Sequence, residues 1–261
     1  MSRLRVTLVQ QPLVWGEPAA NRARFAALLS PLAGSTDLVV LPETFTTGFS
    51  MEVERLGESA GGPTSVWLAD LAGELDAAIV GSVITLDGGR YYNRLLWAEA
   101  GAAALRHYDK RHLFRMGREH QHFAPGGSAW CVPWRGFNIC PLVCYDLRFP
   151  VFSRRRAGLD YELLVYVANW PAPRAHAWRT LLQARAIENQ AFVVGVNRVG
   201  PDGHGIEHSG DSAAIDHLGL PLAELGAAPA VATVELDLAR LSAFREKFPA
   251  HLDADRFTLE P

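Results

Sequence analysis

The sequence predicts an α/β fold, and three observations carry that prediction. Short apolar, β-branched runs alternate with segments whose apolar residues recur at helical spacing. Several strand-like runs lead into a charged or nucleophilic residue, at Glu43, Lys110 and Cys144, and site residues of α/β proteins gather at the carboxyl ends of strands. The 261 residues, 49% hydrophobic and 20% charged, can bury a large core as one domain and are too apolar for a disordered chain.

Residues 4–9 form the first apolar run, ended by Gln10, Gln11 and Pro12, and read as a buried strand. Phe25, Leu28, Leu29 and Leu32 then mark a helix over 21–33 with Asn21 as its cap. A strand over 37–41 is stopped by Pro42 and followed at once by Glu43. Val66, Leu68, Leu71 and Leu75 set a helix over 63–75, and strands over 78–86 and 91–99 join as a hairpin across Asp87-Gly88-Gly89. A strand over 103–108 runs into Asp109-Lys110. Residues 111–127 have no period and carry His112, Arg115, Arg118, Glu119, His120 and His122, the composition of an irregular functional loop.

Strands over 130–133 and 137–143 flank an Arg135-Gly136 turn, and the second delivers Cys144. A helix over 151–158, a strand over 162–168 ending at Asn169-Trp170-Pro171, a helix over 174–189 and a strand over 191–197 follow. The Gly- and His-rich stretch 200–210 reads as a loop. Strands over 212–216, 220–224 and 230–235 and a short helix over 238–244 complete the series. The last residues, 245–261, mix apolar and charged side chains without a period and are expected to lie along another subunit. With no internal repeat, linker or composition break, residues 1–261 read as a single domain.

A net charge of −3 argues against nucleic acid or an anionic membrane as the main partner and leaves a small molecule as the expected one. Cys131, Cys140 and Cys144 are odd in number and the first residues carry no long apolar signal segment, which fits reduced thiols in a cytoplasm. No run reaches the roughly 18–20 apolar residues that cross a bilayer. There is no Gly-x-Ser-x-Gly elbow and no phosphate-loop Gly-Lys-Ser/Thr, and Gly203-His204-Gly205 lacks the third glycine of a dinucleotide site. His120 and His122 have no cysteine partner at a finger-like spacing, so no metal or other cofactor is expected. No feature singles out one histidine as the base of a papain-like pair.

Cys144 itself has two readings. An apolar strand that ends on a cysteine and turns polar through Tyr145, Asp146 and Arg148 can present a nucleophile on a bend, with the Tyr145 N–H free to hold an oxyanion. Most free cysteines, however, are buried apolar filler. Company decides between them. A free thiol is mostly protonated at neutral pH, so it needs a base and a cation; Glu43 can take and return its proton, and Lys110 can stabilise thiolate and oxyanion.

Leu-Pro-Glu43, Tyr-Asp-Lys110 and Val-Cys144-Tyr-Asp together resemble the Glu, Lys and Cys signatures of the nitrilase superfamily of carbon-nitrogen hydrolases, in order and over essentially the whole chain. The helix run Leu182-Gln183-Ala184-Arg185-Ala186-Ile187-Glu188-Asn189 belongs to the same resemblance, and Glu119 resembles the family's second glutamate. Cys-Tyr-Asp-Leu-Arg148-Phe and Lys-Arg-His-Leu-Phe resemble the omega-amidase branch, whose substrates are short monoamides of dicarboxylates, typically 2-oxo ones. The resemblance implies a four-layer αββα sandwich, an assembly of two or more copies, and cysteine thioester chemistry. The elements alone fit a doubly wound fold equally well. Arg148, one helical turn past Cys144, is the expected grip for a substrate carboxylate, and Phe49 and Trp170 the expected pocket walls. A nitrile, carbamoyl amino acid or acyl-transfer enzyme, or a catalytically silent binding protein, is the alternative on the same fold.

Overall fold

The computed structural model describes residues 2–102 and 104–259. In chain order it runs β1 (Arg3–Gln10), α1 (Pro18–Leu29), β2 (Leu38–Val40), α2 (Val53–Leu56), β3 (Glu58–Ser59), α3 (Pro63–Leu75), β4 (Ala78–Asp87), β5 (Arg90–Glu99) and β6 (Arg106–Asp109). The second half holds β7 (Val132–Trp134), β8 (Phe137–Val143), α4 (Pro150–Ser153), β9 (Leu163–Ala168), α5 (Ala175–Asn189) and β10 (Phe192–Asn197). It closes with β11 (Val199–Pro201), β12 (Glu207–Ser209), β13 (Ala213–Ile215), β14 (Pro221–Glu224), β15 (Ala230–Asp237) and α6 (Leu238–Lys247).

Two sheets dominate. One has the order β15-β1-β2-β4-β5-β6, with β3 against β4, and the other the order β14-β13-β10-β9-β8-β7. Each is built around three parallel strands, β1-β2-β4 and β8-β9-β10, extended on both sides by antiparallel pairs. Parallel strands covered on both faces read as continuous apolar runs, which is why these segments show no alternation in the sequence. In β2, Leu38 and Val40 enter the core shared by the two sheets while Val39 enters the core under α1 and α3. Ala78 and Val80 against Ile79 divide β4 in the same way. On the far side Trp178, Leu182 and Ala186 of α5 pack on the second sheet, through β10. The layers are therefore helix, sheet, sheet, helix, the αββα sandwich rather than a single doubly wound sheet.

Several local expectations change. The first helix starts at Pro18, whose missing N–H suits a helix's first position, and Asn21 is not its cap. Its buried side chain instead receives the Val14 N–H at 2.9 Å and donates to the carbonyls of Val14 and Thr46 at 2.7 Å each. That ties the segment before α1 to the one that follows Glu43. The helix expected over 151–158 stops at Ser153, because Arg154 turns extended and the chain doubles back through Gly158, at φ +80°, into an Arg156–Leu159 bridge. The stretch expected as a loop over 200–210 contains the β11–β12 hairpin. Residue 103, the expected start of the third strand, lies outside the described residues, and β6 begins at Arg106. The last helix extends to Lys247, capped at its start by Asp237, whose carboxylate accepts from the N–H groups of Ala239 and Arg240.

Candidate active site

Glu43, Lys110 and Cys144 follow the carboxyl ends of β2, β6 and β8, and Asn169 follows that of β9, so the two sheets deliver polar groups to one end of their shared core. Glu43 is held by a turn in which Thr44 takes φ +41°, and the N–H of Thr44 donates to Ser82 Oγ at 2.8 Å. Cys144 sits at φ +44°, a strained position for a non-glycine residue, where the strand breaks into a single 3₁₀ turn over Cys144–Arg148.

Asp146 holds that bend. Fully buried, its carboxylate accepts from the Tyr108 hydroxyl at 2.8 Å, the Val143 N–H at 3.1 Å and the His112 N–H at 3.1 Å. His112 adds a ring nitrogen 2.7 Å from the same carboxylate and stacks on Phe149 at 3.8 Å between ring centres.

Lys110 and the two glutamates form a fully buried charge cluster. The ammonium lies 2.8 Å from Glu43 Oε1 and 3.0 Å from Glu119 Oε2. Asn93 of β5 bridges the glutamates, its Nδ2 donating to Glu43 Oε1 at 2.8 Å and to Glu119 Oε1 at 3.0 Å. The Asn169 N–H donates to Glu43 Oε2 at 2.8 Å, the Asn169 amide donates to the Glu43 carbonyl, and the Phe114 N–H donates to Glu119 Oε2 at 2.6 Å. Every carboxylate oxygen in the cluster thus has a donor, as buried charges require.

Burial alone would push the Lys110 ammonium down, but Glu119 and Glu43 outweigh it and hold the group firmly protonated. Glu119 is pushed up, chiefly by burial against the pull of Lys110 and with the added repulsion of Glu43. Burial, reinforced by the neighbouring Glu43, drives the Cys144 thiol well above the ordinary thiol range, with Lys110 opposing. The resting site therefore favours Cys144 as the neutral thiol.

A pocket of about 460 Å³ opens over this cluster. Glu43, Lys110 and Cys144 form its floor, and Phe49, Tyr145, Arg148 and Trp170 are among its walls. Lys110 Nζ lies 5.1 Å from the centre of the Phe49 ring, and the Arg148 guanidinium lies 5.0 Å from that of Trp170. Glu119 does not line the pocket; it stands behind Lys110.

The family model described as carbon-nitrogen hydrolase matches residues 5–246. This chain belongs to that family, within the nitrilase superfamily. The hydrolase is 48% identical over 260 residues to an omega-amidase, YafV, of Escherichia coli strain K12, covering 99% of this chain and 100% of the relative. It is 32% identical over 252 residues to a 2-oxoglutaramate amidase of Bacillus subtilis, covering 95% and 96%. Among solved structures it resembles a CN-hydrolase superfamily protein of Xanthomonas campestris that carries an arsenic adduct in its active site, with 51% identity, full coverage of both chains and a TM-score of 0.97.

Sequence reasoning misses parts of this candidate site. Asn93 lies inside β5 between Tyr92 and Arg94, where no local pattern marks it, although a buried amide needs polar partners. Asp146 stands in the sequence only as a member of the Cys144 motif, with nothing local to mark its bracing role. Asp202, His204 and His208, from the β11–β12 hairpin and its turn, reach the pocket mouth, and no local pattern announces that. Arg174 also lines the pocket, its guanidinium 5.1 Å from the centre of the Phe114 ring. Arg198 instead points its Nη2 to the Pro201 carbonyl at 2.6 Å and braces the hairpin.

Proposed function

We propose that this carbon-nitrogen hydrolase is an omega-amidase that converts short dicarboxylic acid monoamides, such as 2-oxoglutaramate, 2-oxosuccinamate and succinamate, to the dicarboxylate and ammonia. The omega-amidase and 2-oxoglutaramate amidase relatives support that activity. The observation that carries the substrate assignment is the meeting of the Glu43–Lys110–Cys144 cluster with Arg148 in one pocket. Among the described residues no carboxylate pairs with the Arg148 guanidinium, so the pocket presents a cation in want of an anion.

In this reading Cys144 is the nucleophile and Glu43 its base. Because the resting thiol is protonated, its proton passes to Glu43 as sulfur attacks the amide carbonyl. The tetrahedral oxyanion is held by Lys110 and by the Tyr145 N–H, which lies in the first turn of a helical segment where leading N–H groups have no acceptor of their own. Glu43 returns the proton to the departing amine, releasing ammonia and leaving a thioester on Cys144. It then draws a proton from water, hydroxide adds to the thioester carbonyl, and the sulfur leaves as the thiol re-forms. Glu119 and Asn93 position Glu43 and Lys110 from behind. Phe49 and Trp170 limit the length of the chain that fits.

We read residues 1–261 as one unit acting as a homodimer or larger symmetric assembly, with 245–261 at the contact between copies. Phe248, Leu252 and Phe257 are exposed there, which supports an apolar contact. Among the described residues no helix is long and apolar enough to cross a membrane, and we place the enzyme in the cytoplasm acting on a small molecule. Ammonia release across a panel of monoamides, neutral amides, nitriles and carbamoyl amino acids tests the function. Highest efficiency on the carboxylated amides is the expected result, and preference for nitriles or carbamoyl compounds would replace the reading.

A further inference from the structure

Two of the three cysteines take no part in the site just described, yet they are not independent of each other. β7 and β8 form an antiparallel hairpin with the register Trp134 to Phe137, Pro133 to Asn138 and Val132 to Ile139. The two turn residues, Arg135 at φ +45° and Gly136 at φ +87°, have the left-handed pair that a two-residue hairpin turn demands. In such a hairpin the pair next to the turn exchanges backbone hydrogen bonds, and bonded and non-bonded pairs then alternate. Trp134–Phe137 is bonded, Pro133–Asn138 is not, Val132–Ile139 is bonded, and continuing the same register one residue beyond β7 sets Cys131 opposite Cys140 at a non-bonded position.

That position has chemical consequences. Non-bonded antiparallel pairs bring their Cα atoms to about 4.5 Å with side chains on the same face, inside the roughly 4.4–6.8 Å span that a disulfide bridges. The two thiols also act on each other, each shifting its neighbour's hold on its proton. They are also differently exposed: Cys140 is fully buried, whereas Cys131 is partly open to solvent. Burial holds the Cys140 proton in place, while the hydrogen bond from Cys140 lowers Cys131 below the ordinary thiol value. The sulfur that gives up its proton more readily is thus the accessible one, and its partner waits beside it.

We propose that Cys131 and Cys140 form an oxidisable dithiol, separate from the hydrolytic site, which a hydroperoxide closes to a reversible cross-strand disulfide. In the first step the Cys131 thiolate attacks the hydroperoxide, the O–O bond breaks, and an alcohol (water from hydrogen peroxide) leaves with a proton, forming a sulfenic acid. In the second the Cys140 sulfur attacks the Cys131 sulfur, the S–O bond breaks, and hydroxide departs with the Cys140 proton as water. The dithiol loses two electrons and the hydroperoxide gains them. The product pins edge strand β7 to β8, the strand that carries Cys144 at its other end.

The test uses full-length Cys144→Ser protein, so that no oxygen is taken up by the nucleophile, and hydrogen peroxide as the probe. After treatment, unfolding and alkylation, the expected product has lost two hydrogens, yields a Cys131–Cys140 linked peptide, and returns to two alkylated thiols with a reductant. Cys140→Ser in the same background should stop at a Cys131 sulfenic acid that dimedone captures. If that second variant fails to fold, the peptide map alone decides. Oxygen accumulating on Cys131 with Cys140 still alkylatable, a disulfide between two chains, or two unchanged thiols would each overturn the proposal.

Discussion

Lys110 Nζ lies 2.8 Å from Glu43 Oε1 with both side chains fully removed from solvent. One ammonium there faces two carboxylates, since Glu119 approaches from the other side. Removing it leaves both carboxylates buried without their counter-charge, a defect of about 3–5 kcal/mol in comparable buried pairs. Lys110→Ala should therefore lose stability in a urea titration as well as turnover. Loss of turnover with unchanged stability would mean that the cluster is more hydrated than its burial implies.

A second expectation concerns the covalent step. Cys144→Ala should abolish ammonia release and leave the unfolding midpoint nearly unchanged, and quenched wild type should carry an acyl mass on Cys144. Retained activity in that variant would discard the thioester route. Glu43→Gln should be nearly as inactive, because residues that act as a unit lose function almost all at once.

The protonation state of Cys144 sets a pH prediction. Burial and Glu43 both favour the neutral thiol, so its folded value lies above the usual one of about 8.5. Thiolate absorbance, taken as wild type minus Cys144→Ser, should be absent at neutral pH and rise only on the alkaline side of that value. Glu43→Gln removes one of the two upward pushes, and the transition should move to lower pH. A thiolate already present at neutral pH would contradict the arrangement in which Glu43 takes the proton during attack. The same shift makes a stability contribution that is complete below the unfolded thiol's value and is lost as pH rises through the folded one.

Arg148 is the test of substrate choice. Its removal costs one charged hydrogen-bonding partner, about 1.5–3 kcal/mol, or roughly ten- to a hundred-fold in kcat/KM. Arg148→Ala should show that loss on succinamate and little on butyramide, and Arg148→Lys should restore little because the planar fork is gone. Equal losses on both substrates would move the carboxylate grip to Arg174, the other pocket-lining guanidinium.

Assembly can be read by light scattering. Truncation after Pro249 keeps α6 and the Arg245 bonds to the Gln190 and Tyr161 carbonyls, both 2.8 Å, while removing exposed Leu252 and Phe257. The full chain should scatter as an oligomer at micromolar concentration and the truncated one should dissociate more readily. A full chain that stays monomeric would end this reading of the tail.

The sequence by itself determined the strands of the two parallel cores, the helix at Pro63–Leu75 and the places where Glu43 and Cys144 follow an apolar run, because burial of both faces and the change from apolar to polar are local facts of composition. It also carried the family, through three short motifs in order. Only the tertiary structure decided that the strands form two stacked sheets, since a strand buried on both faces says nothing about whether a helix or a second sheet covers it. The same holds for Asn93, which lies 50 positions from Glu43 and 26 from Glu119 in the chain yet bonds both. It holds too for the β11–β12 hairpin, whose strands of three residues each are too short to show a period and are braced by Arg198 bonding the Pro201 carbonyl. Local periodicity predicted a helix after Pro150, and there the doubling back of the chain through Gly158 prevailed over propensity.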